Sequence, residues 1–358
     1  MRGTTLPHDR KPLDGRGSLE RPPNRFERTW HEREPDDDSI DDDPAPATEL
    51  IEDSSRTIIA SNESPDVGFE VSVNPYRGCE HGCIYCYARP THEYLGFSSG
   101  LDFETKIVVK SSAPELLRGE LSKAAWRPRV IAMSGVTDPY QPVERRLRLT
   151  RGCLEVLAEF RNPVAIVTKN RLVARDGDLL AELARFDAAA VFLSITTLDD
   201  DLARRMEPRA SRPAARLEAI EELAGVGVPV GVMVAPVIPG LNDHEIPAIL
   251  EAAAKAGARF AGFVPIRLPL GVGALFESWL DRHYPARKEK VLGRIRSLRG
   301  GRLNDARFGS RMRGEGPFAD LIRQVFQTAC QRAGFDGHGP ALSTSAFRRG
   351  GMVQGVLF

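Results

Sequence analysis

Residues 163–197, "PVAIVTKNRLVARDGDLLAELARFDAAAVFLSITT", contain the pattern that decides the fold. Two short apolar runs rich in β-branched residues, 163–170 and 189–197, flank an amphipathic run at 176–186. Such short apolar runs are typical of buried strands, and the apolar spacing of the middle run is helical. The stretch therefore predicts two parallel strands joined by a crossover helix.

The same pattern recurs on both sides of this unit. It predicts strands at 69–75, 129–136, 163–170, 189–197, 229–240 and 259–269, with helices at 114–123, 144–160, 176–186, 213–227 and 246–258. Alternating strands and helices indicate a parallel sheet covered by crossover helices. We therefore predict an α/β fold, a partial (β/α)6 TIM-like barrel, with an open doubly wound sheet as the alternative.

Composition divides the chain of 358 residues into three parts. The net charge is zero, yet residues 31–53 carry about ten excess negative charges and residues 281–358 about nine excess positive ones. Residues 1–60 are acidic and proline-rich with few apolar side chains, so we expect a disordered segment. Residues 61–270 form the predicted barrel, and 271–358 are predicted to be a basic helical extension ending in a tail.

The cysteines and the apolar stretches bear on the compartment. Three of the five cysteines lie within eight residues, which is unlike a disulfide framework. The opening residues are polar, and the most apolar stretch, 225–240, is interrupted by Gly and Pro. We therefore expect a cytoplasmic protein without a membrane partner.

The cysteine-rich stretch is "NPYRGCEHGCIYCYARP", residues 74–90, directly after the first predicted strand. Cys79, Cys83 and Cys86 form a CxxxCxxC pattern that can surround one small metal centre. A structural zinc site uses four ligands, and His81 inside the loop has poor reach. Three cysteines suit a [4Fe–4S] cluster with one iron open to a ligand, and a zinc or other structural site is the alternative.

With this loop after the first strand of a partial barrel, the chain resembles the radical S-adenosylmethionine (SAM) enzymes over residues 68–270. The aromatic Tyr85 before the third cysteine also fits their pattern. The resemblance implies a [4Fe–4S] cluster and SAM as cofactors, with SAM chelating the open iron. It also implies one-electron cleavage of SAM to a 5′-deoxyadenosyl radical that abstracts hydrogen from a substrate, and an electron donor such as flavodoxin or ferredoxin.

The resemblance also assigns roles to residues at the ends of the second to fifth strands. Ser134, Gly135 and Asp138 stand where family members recognise the amino group of SAM, although the usual Gly-Gly-Glu is absent. Lys169 is placed to pair with its carboxylate, and Ser194 to bond the carboxylate or ribose. Each of these positions also has an ordinary structural explanation, as a turn, a solvated lysine or a packed serine.

The motif "PVIPGLND" (236–243) is similar to a GxIxGxxE pattern of the family. Ile238 would pack on the adenine of SAM, and a simple strand-to-helix turn is the alternative. Together with "TDPYQPVE", this motif resembles the DNA-repair-photolyase-like branch, which is similar to spore photoproduct lyase. That lyase returns hydrogen through a cysteine, whereas the second strand here has Met133; Tyr85, Tyr87 or Tyr140 is therefore a candidate hydrogen relay.

The C-terminal part suggests partners. The Arg-rich stretch 294–316 predicts nucleic-acid binding if its arginines share one face near the barrel mouth, and a solvated surface otherwise. The last five residues, "QGVLF" (354–358), resemble peptides that dock on the bacterial DNA sliding clamp. A tail tip folded on the barrel is the alternative.

Three functions remain open from the sequence. The leading prediction is a radical SAM enzyme, a lyase or transferase acting on a nucleic-acid lesion and so in DNA repair. The second is a non-catalytic iron–sulfur or zinc module that binds nucleic acid, and the third is a radical SAM enzyme for a peptide or small molecule. The second function would need no cofactor loops at the strand ends, so the loops found there argue against it. The spare Cys153 and Cys330 are too few for the auxiliary cluster that peptide-modifying relatives often carry, which argues against the third.

Overall fold

A computed structural model describes residues 15–26, 46–335 and 339–349. The strands are β1 (Glu49–Glu52), β2 (Ile59–Ser61), β3 (Val71–Val73), β4 (Tyr76–Arg77), β5 (Lys106–Val109), β6 (Ile131–Met133), β7 (Val164–Thr168), β8 (Ala189–Ser194), β9 (Val230–Val237) and β10 (Phe260–Pro265). They form two sheets, of seven and of three strands.

The larger sheet has the order β10-β9-β8-β7-β6-β3-β2. Strands β3 and β6 to β10 run parallel, and β2 adds an antiparallel edge next to β3. In the described part of the chain, β10 and β2 are the two edges, so the sheet is open between them. The six parallel strands lie at the predicted positions, which confirms the α/β fold and the partial (β/α)6 arrangement.

The α-helices pack on the outer face of this sheet, beside the smaller sheet and beside the loop of residues 74–90. They are α1 (Asp102–Thr105), α2 (Ala113–Ser122), α3 (Glu144–Leu147), α4 (Leu149–Phe160), α5 (Gly177–Ala184), α6 (Asp200–Met206), α7 (Pro213–Gly225), α8 (Ile246–Lys255), α9 (Val272–His283), α10 (Lys288–Leu298), α11 (Ser310–Arg313) and α12 (Pro317–Ala333). The main core lies between them and alternate strand residues, for example Ile166, Val191 and Val232, all fully buried. Alternation then turns Phe192 and Ser194 of β8 towards the inside of the barrel.

Two helical details differ from the prediction. The predicted helix 144–160 is divided into α3 and α4 because Arg148 adopts a left-handed backbone conformation, with φ of 55°. Helix α6 is absent from the prediction. Its first turn is capped by the Asp199 carboxylate, which accepts hydrogen bonds from the backbone N–H groups of Asp201 and Leu202.

The smaller sheet has the order β1-β5-β4; β4 and β5 lie between β3 and α2 in the chain, and β1 precedes β2. Strand β1 comes from the segment predicted to be disordered and pairs in parallel with β5, with Leu50 opposite Ile107. Residues 15–26 also pack on the barrel, so the structure differs from the expectation of disorder at 15–26 and 46–60. A prediction from composition considers this segment alone. In the folded protein, a strand edge pairs with β1, and a buried carboxylate accepts hydrogen bonds from residues 17 and 18.

The C-terminal extension contains the predicted helices α9, α10 and α12. Helix α12 packs on α8 and β10, with the rings of Phe326 and Phe263 4.6 Å apart. The tail 339–349 follows the amino ends of the strands: Ser343 N–H donates to the carbonyl of Asp187, which precedes β8. None of the helices in the described ranges is both long and apolar enough to cross a bilayer.

Candidate active site at the carboxyl ends of the strands

The three cysteines of the loop after β3 lie together beneath the protein surface. Cys79 and Cys83 are each 7% exposed, and Cys86 is half-buried. None of the three forms a disulfide. Burial raises the pKa of each thiol, and the carboxylate of Asp138 and the other two cysteines raise that of Cys79 further. The thiols are therefore close enough to repel one another as thiolates.

A buried arginine holds the backbone of this loop. The fully buried guanidinium of Arg89 donates to the carbonyls of Cys83 (3.0 Å), Gly82 (3.2 Å) and Gly100 (2.9 Å). It also pairs with the fully buried carboxylate of Glu104 at 2.5 Å. Neither residue was predicted from the sequence, because a short sequence separation in a loop does not show which side chains will be buried together.

Residues 15–26, which we call the strap, cross this loop. The backbone N–H groups of Gly17 and Ser18 each donate to the Glu104 carboxylate at 2.9 Å. The approach is so close that a Cβ atom on Gly17 would lie 1.8 Å from the carbonyl oxygen of Gly82. Glu104 therefore joins the strap to Arg89 and, through Arg89, to the cysteine loop.

Asp138, predicted to bind the amino group of SAM, is bonded to the protein on both carboxylate oxygens. It accepts from Thr168 Oγ1 and from Lys169 N–H, each at 2.7 Å, and lies 3.3 Å from His81 Nδ1. Burial acts to raise its pKa, but His81 and these hydrogen bonds prevail and lower it. His81 in turn lies 3.2 Å from the side-chain amide of Asn170, so both ring nitrogens have protein neighbours.

The side chain of Lys169 extends from the end of β7 into a buried polar network. Its Nζ lies 3.1 Å from Thr196 Oγ1 and 3.3 Å from Glu207 Oε1. The hydroxyl of Tyr85, one residue before Cys86, donates to the same oxygen of Glu207. On the other side the Glu207 carboxylate pairs with the buried guanidinium of Arg216. The network thus connects the cysteine loop to two strand ends.

The remaining predicted residues also surround this end of the barrel. Ser194 ends β8 with its side chain on the inner face, and its carbonyl accepts from Arg216 at 2.8 Å. Ile238 follows β9, is fully buried, and packs in one apolar cluster with Cys83 and Tyr85. Ser134 and Gly135 follow β6, half-exposed.

A family comparison decides what this arrangement belongs to. The family model described as "Radical SAM superfamily" matches residues 73–253, which include the cysteine loop and strands β6 to β9. The chain belongs to the radical SAM superfamily. Membership implies that SAM and an iron–sulfur cluster are the cofactors and that the protein is an enzyme.

Several relatives and solved structures are also similar to the chain. An uncharacterized protein of Mycobacterium tuberculosis is 38% identical over 244 residues, 67% of this chain and 71% of the relative. A protein of Pseudomonas phage M6 named radical SAM Nalpha-GlyT isomerase is 27% identical over 55% of this chain and 39% of its own length. Spore photoproduct lyase complexed with dinucleoside spore photoproduct has a TM-score of 0.55, at 17% identity over 79% of both chains. The predicted likeness to that lyase is confirmed as a likeness of fold.

The donor set fits a radical SAM cluster. Burial raises the pKa of all three thiols, so a nearby positive charge favours their thiolate forms, and iron would supply that charge. The loop contributes three cysteines and no fourth. Within the described ranges, no three His, Cys, Asp or Glu side chains, these cysteines included, are arranged around a single metal ion. A cluster does not need that arrangement, because each cysteine would bind a different iron.

The spare cysteines and the other radical-relay candidate lie elsewhere. Cys153 and Cys330 are buried in α4 and α12, in the helical layer outside the sheet, and Met133 faces the same core. Tyr140 is fully buried, and its hydroxyl donates to Asp176 at 3.1 Å. Neither cysteine lies at a strand end, as predicted from the sequence.

The arginines of residues 294–316 are bound largely to the protein itself. Arg299 is 2% exposed and donates to the carbonyls of Ile266 (2.7 Å) and Arg311 (2.8 Å). Arg311 pairs with Asp66, and Arg307 with Asp305. These contacts join the extension to the end of β10. The predicted nucleic-acid face on this stretch stays a prediction.

Proposed function

We propose that this radical SAM protein holds a [4Fe–4S] cluster on Cys79, Cys83 and Cys86. When bound, the cluster would supply one electron to SAM; the sulfonium C–S bond would break to methionine and a 5′-deoxyadenosyl radical, which would abstract hydrogen from a substrate. The observation that supports this best is the position of three thiols, two buried and one half-buried, at the carboxyl ends of parallel strands, beside the network of Lys169. One iron without a protein ligand would leave the open coordination position that reacting metal sites use.

The strand-end residues supply contacts for SAM in this proposal. The Lys169 ammonium, held 2.9 Å from the carbonyl of Ala235, attracts the methionine carboxylate, and the Ser194 hydroxyl on the inner face bonds the carboxylate or ribose. Ile238 and its backbone pack on the adenine. Ser134 and Gly135 receive the amino group, while Asp138 orients the backbone of Lys169.

For the substrate we propose a nucleic-acid lesion. The support is the dinucleoside photoproduct named for the similarly folded lyase, together with the side chains at the barrel mouth. Tyr87 and Leu270 are 48% and 61% exposed there, and the Arg267 guanidinium lies 5.3 Å from the centre of the Tyr87 ring. Exposed aromatic and arginine side chains stack on unpaired bases.

Among the tyrosines, Tyr87 is the best placed to relay a hydrogen atom. Its hydroxyl donates to the Gly135 carbonyl at 2.7 Å, next to the residues proposed for SAM, and its side chain reaches the surface. The hydroxyls of Tyr85 and Tyr140 donate to buried carboxylates instead. Tyr87 therefore replaces the cysteine that is absent from the second strand.

We also propose two protein partners. A flavodoxin or ferredoxin would supply the electron. The DNA sliding clamp would bind residues 354–358, "QGVLF", which lie outside the described residues.

The first experiment measures 5′-deoxyadenosine. The protein is purified anaerobically, reconstituted with iron and sulfide, reduced with dithionite and incubated with SAM. We expect 5′-deoxyadenosine from the wild type and from Cys153→Ala, whose cysteine lies in α4, and at least a hundredfold less from Cys83→Ala because one cluster ligand is lost. Ultraviolet-irradiated oligonucleotides are then added, and loss of lesions is measured.

Each result separates the candidate functions. No 5′-deoxyadenosine, with zinc bound by the loop, would replace the enzyme with the non-catalytic module. Product formation without lesion loss would overturn the nucleic-acid substrate and direct the search to peptides and small molecules.

A further inference from the structure

Glu207 is a buried carboxylate that the proposed function leaves without a role. It follows α6 and is 2% exposed. Burial acts to raise its pKa, but the charges of Arg216 and Lys169 outweigh burial and hold the pKa far below the usual value. Glu207 is therefore an anion in the folded protein.

The contacts of Glu207 divide between its two oxygens. Oε1 accepts hydrogen bonds from Tyr85 and from Thr196 Oγ1 (2.5 Å) and lies 3.3 Å from Lys169 Nζ. Oε2 faces Arg216, whose side chain also binds the carbonyl of Ser194. One carboxylate therefore connects the cysteine loop, the ends of β7 and β8, and helix α7.

The charges of this group do not cancel. Arg216 and Lys169 contribute two positive charges, and Glu207 contributes one negative charge, so one positive charge remains. Arg216 is 1% exposed, whereas the side chain of Lys169 is 15% exposed and lies on the barrel side of the network. The remaining charge is therefore available at Lys169 for an anion in the barrel.

We propose that Glu207 is a positioning residue that holds Tyr85, and with it the cysteine loop, in a fixed relation to the Lys169 ammonium. The inference rests on the proposed function, because Lys169 is the residue proposed for the carboxylate of SAM. The methionine end of SAM would meet both the cluster and Lys169, so the affinity of SAM depends on the distance between them. The Tyr85 hydroxyl is the direct link, one residue from Cys86.

The test variant is Tyr85→Phe, which keeps the ring and removes only the hydroxyl, with its bond to Glu207 and its longer 3.4 Å contact with Thr196 Oγ1. The matched control is Tyr76→Phe: Tyr76 is also fully buried, and its hydroxyl donates to the buried carboxylate of Glu144, outside the network. The dissociation constant of SAM is measured by anaerobic equilibrium dialysis at equal cluster content. The change that SAM causes in the electron paramagnetic resonance spectrum of the reduced cluster is a second measurement.

We expect Tyr85→Phe to weaken SAM binding about three- to tenfold and to reduce the spectral change, while Tyr76→Phe binds like the wild type. Lys169→Met weakens binding by itself. Adding Tyr85→Phe to the Lys169→Met variant weakens SAM binding by a smaller factor than adding it to the wild type, because the two substitutions act on one contact. If Glu207 were merely structural, Tyr85→Phe would lower the melting temperature and leave the affinity for SAM unchanged.

Three results would overturn the inference. Wild-type affinity in Tyr85→Phe excludes the link, and equal losses in both tyrosine variants assign it to general stability. If Tyr85→Phe and Lys169→Met have additive effects, they do not act through Glu207. A wild type that holds the cluster but binds no SAM would overturn the proposed function as well, which distinguishes the two failures.

Discussion

Individual buried side chains set the chemistry of this protein, and most of the charged ones have a counter-charge. The guanidinium of Arg89 meets Glu104, and that of Arg216 meets Glu207, all four residues at 2% exposure or less. Removing one partner of such a pair leaves an uncompensated charge and costs about 3–5 kcal/mol. His92 is different, because neither of its buried ring nitrogens has a hydrogen-bond partner among the described residues.

His92 gives a pH prediction. Its ring lies between Phe97 and Phe103, and burial lowers its pKa to about 4, against the opposing charge of Asp102. Between about pH 6.5 and pH 4 the unfolded chain binds a proton that the folded chain does not, so stability falls as the pH falls. The full effect is about 3 kcal/mol.

We therefore expect His92→Leu to lose less of its melting temperature between about pH 7 and pH 4.5 than the wild type does. Thermal unfolding followed by circular dichroism measures this. The two pH profiles would be parallel if His92 were not the titrating group.

At the scale of elements, the strap over the cysteine loop and the loops after the strands build the site together. The strap offers N–H groups to Glu104, and the loop offers carbonyls to Arg89. Backbone groups that are bonded in this way leave the loop few alternative conformations. The strap therefore covers the backbone of the cysteine loop at Gly82.

This arrangement predicts that Gly17→Ala displaces the strap, because its Cβ would lie 1.8 Å from Gly82 O. We expect faster alkylation of the loop cysteines by iodoacetamide in the cluster-free protein, and faster loss of cluster absorbance in air. Gly119→Ala is the control, since no heavy atom lies within 4 Å of its added Cβ. Equal alkylation rates in the two variants would show that the strap does not protect the loop.

At the scale of the whole molecule, two distant parts of the chain complete the open barrel. Asp66, in the loop between β2 and β3, accepts from Gly309 N–H at 2.6 Å and pairs with Arg311, so it connects the two edges of the sheet. The tail 339–349 covers the amino ends of the strands, with the ring of Phe347 6.2 Å from that of Phe160. The carboxyl ends, with the cysteine loop, remain for the reaction.

The C-terminal residues also allow a test of the predicted binding to the DNA sliding clamp. We expect Phe358→Ala to abolish capture by purified sliding clamp and to leave the melting temperature unchanged. Phe347→Ala is the matched control, which should lower the melting temperature by about 2 °C, because it removes a ring packed on the core, and retain clamp binding. Capture of Phe358→Ala at the wild-type level would remove the clamp from the partners.

Particular residues show where the sequence was sufficient. The strand at 163–170 and the helix at 176–186 were predictable because period and apolar content are local properties, and the loop cysteines because their spacing is. Asp138 and Lys169 were predicted as ligands from the family resemblance at their strand-end positions, but the sequence did not show that Asp138 bonds Thr168. Glu207 carried no signal, although the cap of the helix before it, Asp199, did.

The sequence by itself determined the alternation of strands and helices, the three-cysteine loop and its place after the first parallel strand. Tertiary structure alone decided which charges meet: Glu104 with the strap and Arg89, Glu207 with Tyr85 and Arg216, and Asp66 with Arg311 across the open sheet. The physical reason is range. Backbone preference and apolar period act over a few neighbouring residues, whereas a buried charge is stabilised by whichever partner the folded chain brings within hydrogen-bond distance.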